Sequence, residues 1–234
     1  MMEKSGFQIR ADVNVSVDPR LPFMGYTMPR GGGFNIVVSG GSVGSGLLEG
    51  LLVHEMSHIY RIQSKHPSHN AVILEEAASS AVGKIRLLDY QQKILHDLLN
   101  DIQDLYADDI AFRVFRDSRS PFLKDATEFL QSWVKDEPVR SWNAVRDRWE
   151  NASVLVHNAR AVAQMKRHNV EDVGDKAATT NQHFLDESPR EFAESFNSFR
   201  DTLAGLRENM TGDEYRKLLA VHLERFLSLV RATR

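Results

Sequence analysis

Leu47-Leu48-Glu49-Gly50-Leu51-Leu52-Val53-His54-Glu55-Met56-Ser57-His58-Ile59 is the stretch around which the rest of the chain is organised. Leucines at 47, 48, 51 and 52, with Met56 and Ile59, recur at helical spacing and give one wide apolar face. The expected helix runs from Leu47 to about Ser64, and Pro67 stops it. Ser39-Gly40-Gly41-Ser42-Val43-Gly44-Ser45-Gly46 precedes it as a glycine-rich turn, and Phe34 to Val38 precedes that as a short strand. Strand, turn and amphipathic helix, followed by long helical periodicity, predict an α+β protein that is mostly α, with a small N-terminal β-sheet.

Outward from this stretch, Phe7 to Val17 alternates strictly, with apolar or small residues at the odd positions, the period of a half-buried strand. Residues 19 to 33 hold Pro19, Pro22, Pro29 and the Gly31-Gly32-Gly33 triplet and read as loop. Downstream, Asn70 or Ser68 can cap a helix from Ala71 to about Asp89. Apolar periodicity continues from Ile94 through Phe115, as one long helix or as two with a kink near Leu88 to Gln92. Ser120-Pro121 marks a break, and a short helix follows to about Lys135. Pro138 opens the next, to about His168, with Trp142, Val145, Trp149, Val156 and Ala163 as its buried stripe. Residues 169 to 187 are polar and read as loop with one short helix. Ser188-Pro189-Arg190-Glu191 and Thr211-Gly212-Asp213-Glu214 are capping boxes opening helices over about 189–208 and 212–231. Phe192, Phe196 and Phe199, like Leu219, Leu223 and Phe226, are core stripes that could also serve as a homodimer face. With no repeat and no linker, the expectation is a single domain over 1–234. Within it, 7–116 carries the sheet and the helices of the candidate site, and 121–234 is a helical extension.

Composition narrows the classes. A net charge of −3 on 234 residues carries no basic excess, so neither a nucleic-acid partner nor an anionic membrane is expected. No apolar run approaches the length of a membrane span, and Met1 to Arg10 has no signal-peptide core. Without cysteine there is neither a disulfide nor a thiolate metal ligand, and the expected location is the cytoplasm. The glycine-rich turn lacks the Lys-Ser/Thr of a phosphate loop, so it reads as an approach loop bordering a cleft.

The chemistry lies in His54-Glu55-Met56-Ser57-His58. Histidines four apart present their imidazoles on one helix face and can hold one ion, while the glutamate beside them can take a proton from water. Glu55 sits among Leu51, Leu52, Val53 and Met56, where a carboxylate is costly unless a cation compensates it. A catalytic zinc needs a third protein ligand and an open position. Two places offer one: Asp104 in Asp104-Leu105-Tyr106-Ala107-Asp108, with Asp108 one turn on to support a histidine, and Glu75 or Glu76 on the nearer helix. His66 and His69 flank Pro67 in a stretch that a helix stop and cap explain, so their expected role is structural.

These residues resemble a known family. HExxH followed by an acidic motif on a later helix is similar to the gluzincin type of zinc metallopeptidase, whose later motif in some members reads Glu-x-x-Ala-Asp. Asp104 to Asp108 resembles that motif with aspartate in place of the first glutamate. Without membrane segments, the chain resembles most the small soluble prokaryotic minigluzincins. The resemblance covers about 34–116 and implies a zincin-type helical core beneath the sheet, with the remaining helices added at the C-terminus. It implies zinc held by His54, His58 and Asp104, Asp108 supporting a ligand, and Glu55 as general base acting on a peptide or protein substrate. It also implies that Phe34 to Val38 is an edge strand holding an extended peptide. Tyr60, His69, Tyr106 and His157 are candidates to assist the oxyanion. The competing classes are a metal-dependent hydrolase of another substrate and an inactive metal-binding or protein-interaction module.

Overall fold

A computed structural model describes residues 1–83 and 86–231. The chain forms two compact units, one from Met1–Asn70 and Gln103–Asp125, the other from Ala71–Ile102 and Ala126–Arg234.

The first unit opens with a three-stranded sheet: β1 (Val13–Asp18), β2 (Gly25–Arg30) and β3 (Gly33–Ser39), in the order β1-β3-β2. β3 runs parallel to β1 and antiparallel to β2. Two expectations are corrected here. Phe34 to Val38 lies in the central strand, not at an edge, and residues 25–30 form a strand rather than loop. Arg30 pairs with Gly33 across a two-residue turn, and Gly31 and Gly32 have φ of 56° and 87°. Positive φ at both turn positions matches strand twist and is met by glycine without steric cost. Pro29 is tolerated because β2 is an edge strand. The predicted strand over 7–17 is shorter than expected, since residues 7–12 are not part of it.

Phe34, Ile36 and Val38 put one face of β3 onto α1 (Leu48–Gln63), where they meet Leu51 and Ile59 in the core. This face makes α1 a platform under the sheet, as its apolar stripe predicts. The approach is close at Gly25, where a Cβ would lie 3.2 Å from the Leu51 side chain and 2.9 Å from the Val37 carbonyl.

The helices continue as α2 (Ala71–Val82), α3 (Asp89–Ser118), α4 (Phe122–Gln131), α5 (Ala144–Arg167), α6 (Lys176–Asp186), α7 (Arg190–Ala204) and α8 (Gly212–Arg231). α2 ends at Val82, short of the expected reach to about Asp89: Gly83 turns the chain with a φ of 60°, 84–85 lie outside the described residues, and 86–88 are not helical. α3 is one helix beginning where a kink was an alternative. The unit boundary at Ile102 and Gln103 falls within it. In the second unit α5 packs on α7 and α8, and α2 on α8, and Trp149, Leu155, Phe192, Phe199, Leu223 and Phe226 are buried. Among the described residues no helix is long and apolar enough to cross a membrane. The mostly helical α+β class is as the sequence predicts.

Between α4 and α5 the chain is irregular where helix was expected up to Lys135 and again from Pro138. Asn158 accepts from the Lys135 amide at 2.8 Å and donates to the Lys135 carbonyl at 2.9 Å. Two turns earlier on α5, Asn151 binds Val139 in the same two-way manner, at 2.6 and 2.9 Å. Backbone held by side chains in this way cannot also close a helical ladder. Trp142 therefore precedes α5 and is fully exposed, as Val145 largely is, so neither joins the stripe that Trp149, Val156 and Ala163 form.

Candidate metal centre

α1 is fixed to the Gln103–Ser118 half of α3 by Arg61, which is buried and donates through Nε and Nη2 to the Tyr106 carbonyl at 3.0 and 2.8 Å. The Arg61 guanidinium also lies 5.7 Å from the Tyr106 ring centre. That anchor sets the register in which His54 and His58 face Asp104 and Asp108, residues one turn apart on α3. His54 Nε2 and His58 Nε2 are 3.0 Å apart, and Asp104 Oδ1 is 3.9 Å from the first and 3.3 Å from the second. One ligand atom from each of the three residues fits within a 4.8 Å cluster.

This donor set fits an ion. Zinc at about 2.0–2.1 Å from each nitrogen spaces tetrahedral ligand atoms about 3.3 Å apart, close to the observed separations. Two imidazoles and one carboxylate are an ordinary zinc set with a fourth position left over. His54 Nδ1 lies 2.6 Å from Asp108 Oδ1, so the ring donates there and turns Nε2 towards the cluster. Burial would lower the His54 pKa, but the charge and hydrogen bond of Asp108, reinforced by Asp104 and Glu55, outweigh it and raise it to about 9. The same field of carboxylates that holds a proton there attracts a cation.

Glu55 is buried beside this cluster, and its Oε2 accepts from Thr27 Oγ1 on β2 at 2.8 Å. On the other side, His58 Nδ1 lies 2.8 Å from His69 Nε2. Burial first, then the charges of His58, Arg61 and His66, push the His69 pKa down to about 2, so the ring is neutral.

A family model described as a family of unknown function, DUF5781, matches residues 7–228. The chain belongs to DUF5781. No curated protein and no solved structure matches it. The span matched by DUF5781 takes in the whole cluster, from Thr27 to Asp108.

In this DUF5781 chain the structure brings together His54, Glu55, His58, Asp104 and Asp108, all in the first unit. Glu75 and Glu76 are exposed on α2 in the second unit, where Glu76 accepts from Arg216 at 2.9 Å. Of the four oxyanion candidates, Tyr106 is fully buried. Tyr60 packs edge-on against Phe7, with ring centres 5.1 Å apart. His69 is engaged by His58, and His157 stacks on Trp133 in the second unit. Sequence reasoning missed Thr27 and the link from His58 to His69. Tyr26 and Thr27 between Gly25 and Met28 carry a strand preference that Pro22 and Pro29 mask. The glycine-rich turn is closed by its own serines: Ser42 Oγ donates to the Met24 carbonyl at 3.1 Å and Ser45 Oγ to the Ser42 carbonyl at 2.8 Å.

Proposed function

We propose that this chain is a zinc-dependent hydrolase, and more specifically a metallopeptidase. The observation that carries the reading is the convergence of His54, His58 and Asp104 on one point, with a buried carboxylate, Glu55, next to it. Those three residues would hold the ion, and Asp108 would hold His54 in the tautomer that binds it. When bound, the ion supplies Lewis acidity that makes a water nucleophilic and polarises a carbonyl.

The chain's own residues supply the rest. Thr27 occupies Glu55 Oε2, leaving Oε1 to take a proton from the attacking water and pass it to the leaving amine. β2 brings Thr27 to the base, and as an edge strand it is the strand suited to hold an extended peptide, the role the sequence reading gave to 34–38. That edge supports the reading of a peptide or protein substrate. A cytoplasmic location, with neither nucleic acid nor a membrane as partner, belongs to the same proposal.

The test is metal content of the purified protein, followed by turnover of unstructured peptides. About one zinc per chain, lost in Asp104→Ala and kept in Glu55→Gln, with cleavage abolished in both, is the expected result. Zinc retained with no cleavage of any peptide by the native chain would reduce the protein to a metal-binding module. No zinc uptake at all would overturn the proposal.

A further inference from the structure

The contact between His58 and His69 is the first link of a longer chain of hydrogen bonds. His58 Nδ1 lies 2.8 Å from His69 Nε2, His69 Nδ1 lies 2.8 Å from Ser68 Oγ, and Ser68 Oγ lies 2.7 Å from His66 Nδ1. These residues leave α1 through a one-turn 3-10 helix, Pro67–His69, in which Ser68 is fully buried. His66 also packs at a tilt against Tyr106, with ring centres 4.7 Å apart, so the turn is anchored to the helix that carries Asp104.

Protons can be placed along such a chain in either sense. One sense leaves His58 Nε2 with a lone pair, and the other leaves it with a hydrogen and unable to bind an ion. The backbone decides between them. The Ser68 amide donates to His66 Nδ1 at 3.3 Å, so that nitrogen is an acceptor and carries no hydrogen. Ser68 Oγ–H must then donate to the same nitrogen, and its oxygen accepts from His69 Nδ1–H. His69 Nε2 is left as an acceptor, so a neutral His58 donates from Nδ1 and keeps a lone pair on Nε2, where His54 Nε2 lies 3.0 Å away.

We infer that His69 is a positioning residue, and that the Ser68 amide, acting through His66, Ser68 Oγ and His69, locks His58 in the tautomer that presents Nε2 to a metal ion. This rests on the metal-binding reading of the same site. His54 receives its lock from a carboxylate, whereas His58 receives it from a neutral relay whose direction is set by a peptide bond. The two ligands are thus held by different means. Losing the relay releases the His58 tautomer without removing charge from the site.

Three variants test it. His69→Phe keeps a ring and removes the acceptor. Ser68→Ala cuts the relay beyond His69. His69→Gln can place a carbonyl oxygen where Nε2 lies. Nitrogen NMR of the metal-free, histidine-labelled protein reads the tautomer directly, and competition with a chelator reads zinc affinity. The expected result is a single Nδ1–H tautomer at His58 in the native chain and in His69→Gln, and a mixture in His69→Phe and Ser68→Ala. Zinc binding should weaken about 10- to 100-fold in the latter two and recover in His69→Gln. A hydrogen on His58 Nε2 in the native chain, or unchanged tautomer and affinity in a folded His69→Phe, would overturn the inference. If the native chain binds no zinc but shows the Nδ1–H tautomer, the relay stands and the hydrolase reading fails instead.

Discussion

His222 on α8 is fully buried, its ring edge-on to Phe199 with centres 5.3 Å apart, and neither ring nitrogen has a hydrogen-bond partner among the described residues. Burial, with the charge of Arg225 adding to it, lowers its pKa from 6.5 to about 4. The folded state therefore binds fewer protons than the unfolded chain between these values, and stability falls as pH drops through that window. Between pH 7.5 and 5 the native protein should lose about 2 kcal/mol more than His222→Leu, measured by urea unfolding. A parallel response of the two proteins would remove this account. His222→Leu should also be the more stable at neutral pH, because it replaces two buried, unsatisfied nitrogens with apolar surface. Nothing in Val221-His222-Leu223 announces such a residue, since a helical stripe tells which face is buried and not what the face meets. The site was more legible: His54, Glu55 and His58 sit in one string, and Asp104 and Asp108 repeat at one helical turn. Thr27 and His69 were not legible as partners, because each meets a side chain supplied from another element, and Ser68 read only as a possible helix cap.

At the scale of elements, the chain is held in shape by side chains that replace backbone partners. Asn158→Ala strips the Lys135 amide and carbonyl of their partner and should cost about 2 kcal/mol, while Asn143, the cap that starts α5, keeps the helix start in place. Circular dichroism and urea unfolding check both halves of that expectation, and a loss of helix content in the variant would contradict the second. Capping boxes show how far local sequence goes. In Thr211 to Glu214 both bonds form: Glu214 donates its amide to Thr211 Oγ1 at 3.2 Å, and Thr211 donates its own to Glu214 Oε2 at 2.8 Å. Ser188 to Glu191 has the same spacing and makes neither. Glu191 is drawn instead to Arg148 Nη2 at 2.7 Å, and Ser188 donates back to the Phe184 carbonyl at 2.6 Å to end α6. A motif states what two residues can do, and an arginine 43 positions away decides whether they do it. The β2–β3 hairpin was missed for a related reason. Proline reads as loop until it is known that its strand lies at an edge.

Over the whole molecule, periodicity located the helices without telling which of them share a core. α2 packs on α8, and Glu76 reaches Arg216 from 140 positions away. The first unit is likewise made of separate stretches, and zinc should report on both. At zinc one hundred times its dissociation constant the ion contributes about 2.7 kcal/mol to the state that binds it. Amide exchange in 50–58 and 103–108 should then slow by about a hundredfold and return to its original rate on chelation. Unchanged exchange in both stretches with zinc bound would mean the ion sits elsewhere. The distance along the chain has a further effect during synthesis. His54 and Asp108 are separated by 54 residues. A ribosome adding roughly 5–20 residues per second needs about 3–11 s to cover that interval. For those seconds the newborn histidines and Glu55 have left the ribosome without the stretch of α3 that carries Asp104 and Asp108, so on the proposed reading a nascent chain cannot present the whole cluster to an ion until that stretch has followed. Any hydrolytic capability would be withheld from the emerging polypeptide, and from its neighbours on the same message, by the order in which the segments are made.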